Sequence, residues 1–107
     1  MKAQPWIPTT NVKDLRHIGK LGEEVNELGT VISRIVIQQI TGIIPNEEKD
    51  NKQWLEEEIA DVLTFIDLNI KHFNLDIEFI NNRIKKKTDF VTPWLNGELD
   101  EEDTGTI

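Results

Sequence analysis

Apolar residues recur every three or four positions along one stretch of this chain, and this spacing constrains the fold more than any other feature. Side chains at this spacing lie on one face of an α-helix. Asn11 precedes the stretch as a plausible N-cap, with Asp14 placed favourably for the helix dipole. Gly42 and Pro45 follow it, as is usual where a helix ends. The pattern predicts one long first helix. Its apolar positions are Val12, Leu15, Ile18, Leu21, Val25, Leu28, Ile32, Ile35, Val36 and Ile40.

The same spacing predicts two further helices. A second apolar stripe indicates a helix from about Asn51 to Phe73. Asp76 can cap a third helix that runs to about Thr88, because Thr92–Pro93 should prevent its continuation. No segment alternates apolar and polar residues in the manner of a strand, so the predicted fold class is all-α.

Three glycines, Gly19, Gly22 and Gly29, lie inside the first predicted helix. Each costs up to about 1 kcal/mol relative to alanine. We expect them to allow close contact with another helix, with a bend or break near Gly19 or Gly22 as the alternative.

The domain organisation follows from these elements. Residues 1–10 contain Pro5 and Pro8 and are predicted to form an extended arm, residues 11–95 a single all-α domain, and residues 96–107 an acidic, disordered tail. The first helix is apolar on more than one face around Ile32 and Ile37, and such surplus apolar surface usually meets another subunit. We therefore expect a helical bundle completed by homo-oligomerisation, as a dimer or a tetramer.

Composition narrows the class of protein. A chain of 107 residues without cysteine supports one modest core and excludes disulfides, thiolate zinc sites and cysteine nucleophiles. The formal charge is −8, which argues against a nucleic-acid partner, since such binding needs a basic surface. No apolar run is long enough to span a membrane, and no secretion signal begins the chain. We expect a cytoplasmic protein without membrane partners.

Two acidic pairs are the candidate chemical site. Glu24 with Glu27, and Glu58 with Asp61, each have the i,i+3 spacing that places both carboxylates on one helix face. Both pairs border apolar stripes, so packing of the two helices would bring four carboxylates together. Oxygen ligands of this kind favour Mg²⁺ or Mn²⁺ over zinc. The alternative interpretation is two solvated acidic faces, which are common on helices.

The residues around these pairs resemble a known family. Lys20-Leu21-Gly22-Glu23-Glu24-Val25-Asn26-Glu27-Leu28 and Glu57-Glu58-Ile59-Ala60-Asp61-Val62-Leu63 are similar to the EExxE and ExxD motifs of the MazG-like, all-α nucleoside triphosphate pyrophosphohydrolases. The likeness covers residues 12–88. It implies a MazG-like fold. It also implies Mg²⁺-dependent hydrolysis of a (deoxy)nucleoside triphosphate to the monophosphate and pyrophosphate, with house-cleaning of the nucleotide pool as the biological role.

The resemblance also suggests roles for individual residues. Glu24, Glu27, Glu58 and Asp61 match the metal ligands of the family, with Mg²⁺ as cofactor and Mn²⁺ as a substitute. Glu27 is the expected catalytic carboxylate, which would orient or deprotonate the attacking water. Glu23 is either a neighbour of the ligands that helps to bind substrate or a solvated side chain.

Further substrate contacts are predicted from weaker signals. Arg83 and Lys87 stand nearest to the basic cluster with which the family meets phosphates, although lysines in a last helical turn also stabilise the helix dipole without a ligand. His17 and Trp6 could contact the base, since aromatic faces accept bases. His72 has no partner at metal-ligand spacing in the sequence, so a zinc site is not expected.

The alternative function is a noncatalytic, oligomeric helical interaction module or acidic adaptor, in which the same glutamates are only solvated. The sequence leaves open the preferred base and sugar, the choice between dimer and tetramer, and the role of the acidic tail. It also leaves open whether a second subunit contributes to the site.

Overall fold

The computed structural model describes Trp6, residues 11–43 and residues 50–98, and these are helical except at helix ends and turns. Helix α1 spans Val12–Thr41, α2 spans Asn51–His72 and α3 spans Ile77–Leu95. The described residues include no strand. The all-α prediction is therefore confirmed. No helix in the described ranges is long and apolar enough to cross a membrane.

The helix ends follow from local chemistry. The side chain of Asn11 accepts a hydrogen bond from the backbone N–H of Lys13, as predicted for an N-cap. Asp50 and Asp76 cap α2 and α3 in the same way. At the other end of α1, Gly42 adopts a left-handed conformation (φ 71°), which glycine tolerates without a side-chain clash.

Two sequence predictions about the helices are wrong. Helix α3 continues past Thr88 to Leu95 and contains Pro93. Pro93 has no backbone N–H, so the bond to the carbonyl four residues earlier is lost, but the helix continues through the proline and ends two residues later. In α1, a Cβ built on Gly19, Gly22 or Gly29 meets nothing within 4 Å, and the helix is unbroken. These glycines therefore mark no bend in α1 and no close contact with another of the described residues.

The described residues belong to two compact units, Met1–Leu75 and Asp76–Ile107. In the first unit, α1 and α2 pack against each other in antiparallel directions, since His17 contacts Asn69 while Gln38 contacts Asn51. The second unit contains α3. The predicted arm (1–10) apart from Trp6, and the tail beyond residue 98, lie outside the described residues.

The α1–α2 contact is a seam with the 3–4 spacing of paired helices. Its core is half polar. The buried apolar residues are Val31 (3% exposed) and Val62 (8%), and the buried polar residues are Glu24 (6%) and Asn69 (2%). The seam positions, none of which is fully exposed, are Asp14, His17, Leu21, Glu24, Leu28, Val31, Ile35 and Gln38 on α1, and Asn51, Leu55, Glu58, Val62, Phe65, Asn69 and His72 on α2.

One side of the helix pair carries exposed aliphatic side chains. Each directly follows a seam position, and in two antiparallel helices such positions lie on the same side of the pair. All are at least 37% exposed. They are Ile18, Val25, Ile32 and Val36 of α1 and Ile59, Leu63 and Ile66 of α2, and we call them the aliphatic face.

Candidate metal centre

The polar residues of the seam meet one another across the two helices. His72 Nε2 lies 2.7 Å from Asp14 Oδ1, and Asn69 donates to the backbone oxygen of His17 at 2.9 Å. At the opposite end, the Asn51 amide donates to Gln38 Oε1. Buried polar groups normally have such partners. The remaining polar seam positions, Glu24 and Glu58, cannot pair with each other in this way, because both are acids and neither carboxylate can donate a hydrogen bond.

Three carboxylates converge at this part of the seam. Glu24, Glu27 and Glu58 each place one oxygen within 4.8 Å of the other two, and this is the one group in the described ranges with the arrangement of a metal site. Glu24 is buried, Glu58 is half-buried and Glu27 is exposed. Two predicted ligands from α1 and one from α2 are thus brought together.

The charges around the cluster are not balanced by nearby cations in the described part of the chain. Lys20 lies 3.2 Å from Glu24 Oε1 and 3.4 Å from Glu23, and its hydrogen bond with Glu24 is the main reason that its pKa is raised. The negative charge of Glu24, followed by desolvation and the charge of Glu58, raises the pKa of Glu27 above its ordinary value of 4.5. Lys20 therefore pairs with Glu24, which is one of three carboxylates that repel one another.

The unpartnered atoms of the cluster identify what it would accommodate. Glu24 Oε2 and Glu58 Oε2 are buried and have no hydrogen-bond partner in the part of the chain that the structure describes. A buried anionic oxygen without a donor costs free energy unless a positive charge lies beside it. Carboxylate oxygens alone, without histidine or thiolate, form a donor set that suits Mg²⁺ or Mn²⁺. The residues present therefore fit a hard divalent cation.

Asp61, the fourth predicted ligand, is not part of this group. It is exposed and lies one helical turn beyond Glu58 on the same face of α2. The level of Asp61 along the helix pair is close to that of Glu24, because facing residues in this antiparallel pair have numbers that add up to about 86, as His17 and Asn69 do. Asp61 therefore lies outside the group although its backbone is close to the level of Glu24.

The predicted substrate contacts in the first unit have different surroundings. Glu23 is exposed and pairs with Lys20 at 3.4 Å. His17 is half-buried and lines a groove beside the cluster that also contains Arg16, Lys20 and Phe65. Trp6 is 61% exposed and meets the edge of Phe73, with ring centroids 5.2 Å apart. Of these three residues, His17 and Glu23 line the groove.

Arg83 and Lys87 belong to the second unit. Both lie on α3, where they line a basic groove together with Lys86, Asp89 and Phe90. Arg83 is exposed and Lys87 is half-buried. The two residues that the sequence suggested for a phosphate contact therefore line the same groove.

The sequence interpretation missed the histidine pair. The rings of His17 and His72 are stacked, with centroids 3.7 Å apart and planes 5° from parallel. The sequence shows no partner for His72 at metal-ligand spacing, and the structure places it in contact with both His17 and Asp14. The sequence does indicate that these residues face the other helix, because the 3–4 spacing of the seam continues through polar residues such as Asn69. A stripe defined by apolar residues alone does not include them.

Comparisons with known proteins give no relative of this chain: no protein-family model, no curated protein and no solved structure matches it.

Proposed function

We propose that this protein is a Mg²⁺-dependent, MazG-like nucleoside triphosphate pyrophosphohydrolase, which cleaves a (deoxy)nucleoside triphosphate between the α- and β-phosphates. The observation that carries the proposal is the convergence of Glu24, Glu27 and Glu58 with two buried, unpartnered oxygens. The resemblance of the two acidic motifs to this family supplies the reaction. Cytoplasmic house-cleaning of the nucleotide pool is the role we propose.

The ligand roles follow from burial. Glu24 and Glu58 direct unpartnered oxygens into the interior of the pair, so we assign them to the cation. Asp61 completes the set if its side chain rotates about its Cα–Cβ bond, since its backbone already lies at the level of Glu24. A bound Mg²⁺, or Mn²⁺ in its place, would lower the pKa of a coordinated water and neutralise charge on the triphosphate.

Glu27 is the proposed catalytic residue. It is the exposed member of the cluster, so it can reach both the cation and an incoming water. Its pKa is raised by Glu24, and a carboxylate with a raised pKa is the better proton acceptor. Glu27 would orient the water and take its proton during attack on the phosphorus atom.

Substrate binding in the first unit is assigned to a groove on α1 and α2. The groove with His17, Lys20 and Phe65 adjoins the cluster through Glu23 and offers cations and an aromatic ring to the nucleotide. Trp6 offers a further exposed aromatic face. For Arg83 and Lys87, which line a separate groove on α3, a phosphate contact stays a prediction. A nucleic-acid partner is not part of the proposal, because the chain has a formal charge of −8.

The aliphatic face supports a homo-oligomer, as a dimer or a tetramer. It places seven exposed aliphatic side chains on one side of the helix pair, and extended patches of this kind mark interaction sites. Glu27 and Asp61 each lie three residues after a seam position, which is the opposite side. A second copy on the aliphatic face would therefore leave the carboxylate cluster open to substrate.

The same face supports the competing function, a noncatalytic helical interaction module. Under that interpretation the aliphatic face binds a partner and the carboxylates have no cation. The two functions differ in one measurable property, which is whether Mg²⁺ promotes release of pyrophosphate.

A substrate panel provides the test. The purified chain is incubated with each standard NTP and dNTP in Mg²⁺, in Mn²⁺ and in EDTA, and pyrophosphate and monophosphate are measured. We expect equal amounts of both products from at least one substrate, dependent on the metal. Glu24→Gln should abolish the reaction, whereas Glu56→Gln, the same change at an exposed position of α2, should not. Absence of pyrophosphate release from every substrate would refute the enzyme and favour the interaction module.

A further inference from the structure

We infer that Asn69 is a positioning residue that sets the register of α1 against α2 and so keeps the carboxylates of Glu24 and Glu58 within reach of each other. The inference concerns how the cluster is assembled and rests on the proposed function only for its metal. Asn69 acts together with Asp14, His17 and His72, and we call these four residues the polar layer.

The amide of Asn69 is fixed by its neighbours. The side chain is 2% exposed, and Nδ2 donates to the backbone oxygens of His17 at 2.9 Å and of Phe65 at 2.7 Å. Carbonyl oxygens only accept hydrogen bonds, so the NH₂ group must face both of them and both of its hydrogens are used. One hydrogen bond anchors the side chain to its own helix, and the other ties that helix to α1.

The histidines strengthen the same tie. His72 Nε2 donates to Asp14 Oδ1 at 2.7 Å, and its ring stacks on His17 with centroids 3.7 Å apart. His17 is held in turn, because its Nδ1 donates to the backbone oxygen of Lys13 at 2.7 Å. A slip of one helix by a single turn, about 5.4 Å, would break every one of these cross-helix contacts.

The polar layer determines the height of the carboxylates. His17 and Glu24 are seven residues apart, which is about two turns of α1 on one face. Asn69 and Glu58 are eleven residues apart, which is about three turns of α2, again on one face. Pairing His17 with Asn69 therefore fixes both the levels and the rotations at which Glu24 and Glu58 meet. Apolar seam residues do not specify this alone, since they repeat at every turn, whereas a buried polar residue can specify register.

Stability alone does not account for asparagine at this position. Asn69 Oδ1 is buried and has no hydrogen-bond partner among the described residues, and such an atom costs free energy. Leucine has the same number and branching of side-chain heavy atoms, without any unsatisfied polar atom. A change that improves packing while it harms the metal centre would separate positioning from a merely structural role.

The test compares Asn69→Leu with wild type in three measurements on the full chain. These are apo thermal stability, Mg²⁺ affinity by calorimetry, and the distance between spin labels on cysteines introduced at Ser33 and Lys52. The chain contains no native cysteine, so labelling is specific. Asn81→Leu, the same replacement at an exposed position of α3, is the matched control.

We expect Asn69→Leu to retain or raise the melting temperature, to weaken Mg²⁺ binding by about tenfold or more, and to broaden the label distances with a second population shifted by about 5 Å. Asn81→Leu should match wild type in all three. Wild-type Mg²⁺ affinity and a single wild-type distance in Asn69→Leu would overturn the inference.

Two further outcomes are interpretable. If wild type binds no Mg²⁺, the proposed function fails, but the label distances still decide the register: a shifted population in Asn69→Leu supports the inference and an unchanged distance overturns it. If Asn69→Leu does not fold, Asn69→Ser replaces it, because the shorter side chain loses the bond to the His17 oxygen and can keep one to the Phe65 oxygen of its own helix. The same shifted distance is then expected, and its absence overturns the inference.

Discussion

Replacing Glu24 by glutamine keeps the shape of the side chain and removes one charge from the centre of the cluster. Oxygens of Glu24 and Glu58 lie within 4.8 Å of each other, and at an effective dielectric constant of about 20 two unit charges at that distance repel by about 3.5 kcal/mol. Solvent around the half-buried Glu58 and the lost ion pair with Lys20 reduce the benefit. We expect a net gain of about 1–2 kcal/mol in the free energy of unfolding without metal.

In the presence of Mg²⁺, wild type should be the more stable of the two proteins. Wild type in Mg²⁺ at one hundred times its Kd gains about 2.7 kcal/mol, whereas Glu24→Gln, having lost a ligand, gains little. The assay is thermal unfolding in EDTA and in Mg²⁺, in which 1 kcal/mol corresponds to a shift of about 4–8 °C for a domain of this size. Glu56→Gln, which removes an exposed charge, controls for net charge. A Glu24→Gln variant that is less stable than wild type in EDTA would refute the reasoning, because the cluster would then not be repulsive.

Three other predictions concern neighbouring features. Without metal, the raised pKa of Glu27 means that the folded chain holds the Glu27 proton more tightly than the unfolded chain does. Wild type should therefore lose stability relative to Glu27→Gln as the pH rises from 4.5 through the raised pKa. Urea unfolding at several pH values measures this difference in stability, and a difference independent of pH would contradict the prediction. Gly29→Ala should stabilise the chain by about 0.5–1 kcal/mol in urea, because an added Cβ meets nothing within 4 Å; a loss would indicate contact with another copy. Asp61→Asn should weaken Mg²⁺ binding by about tenfold in calorimetry, while Asp67→Asn should not, and equal affinities would exclude Asp61 from the ligand set.

The helices could be predicted because their determinants are local. Apolar spacing and the cap at Asn11 place α1 within a residue of its observed ends, and Asp76 begins α3 as predicted. Pro93 misled the prediction because a proline removes only its own hydrogen bond to the residue four positions earlier, and α3 continues two residues beyond it despite that loss.

The candidate site could be predicted only in part. The i,i+3 spacing of the acidic pairs identifies one face on each helix, and three of the four carboxylates meet. The direction of the Asp61 side chain depends on packing that sequence spacing does not contain. Likewise, the tie between His17 and Asn69 joins residues 52 positions apart, and no local pattern encodes their register.

The centre itself is tested most directly by locating a bound ion. Crystals of the full chain soaked in Mn²⁺ would reveal the metal by its anomalous scattering. We predict a peak bounded by the carboxylates of Glu24, Glu27 and Glu58, which should disappear in Glu24→Gln crystals under the same conditions. A Mn²⁺-soaked wild-type crystal with no peak there, or with peaks only at other acidic surfaces, would contradict the account.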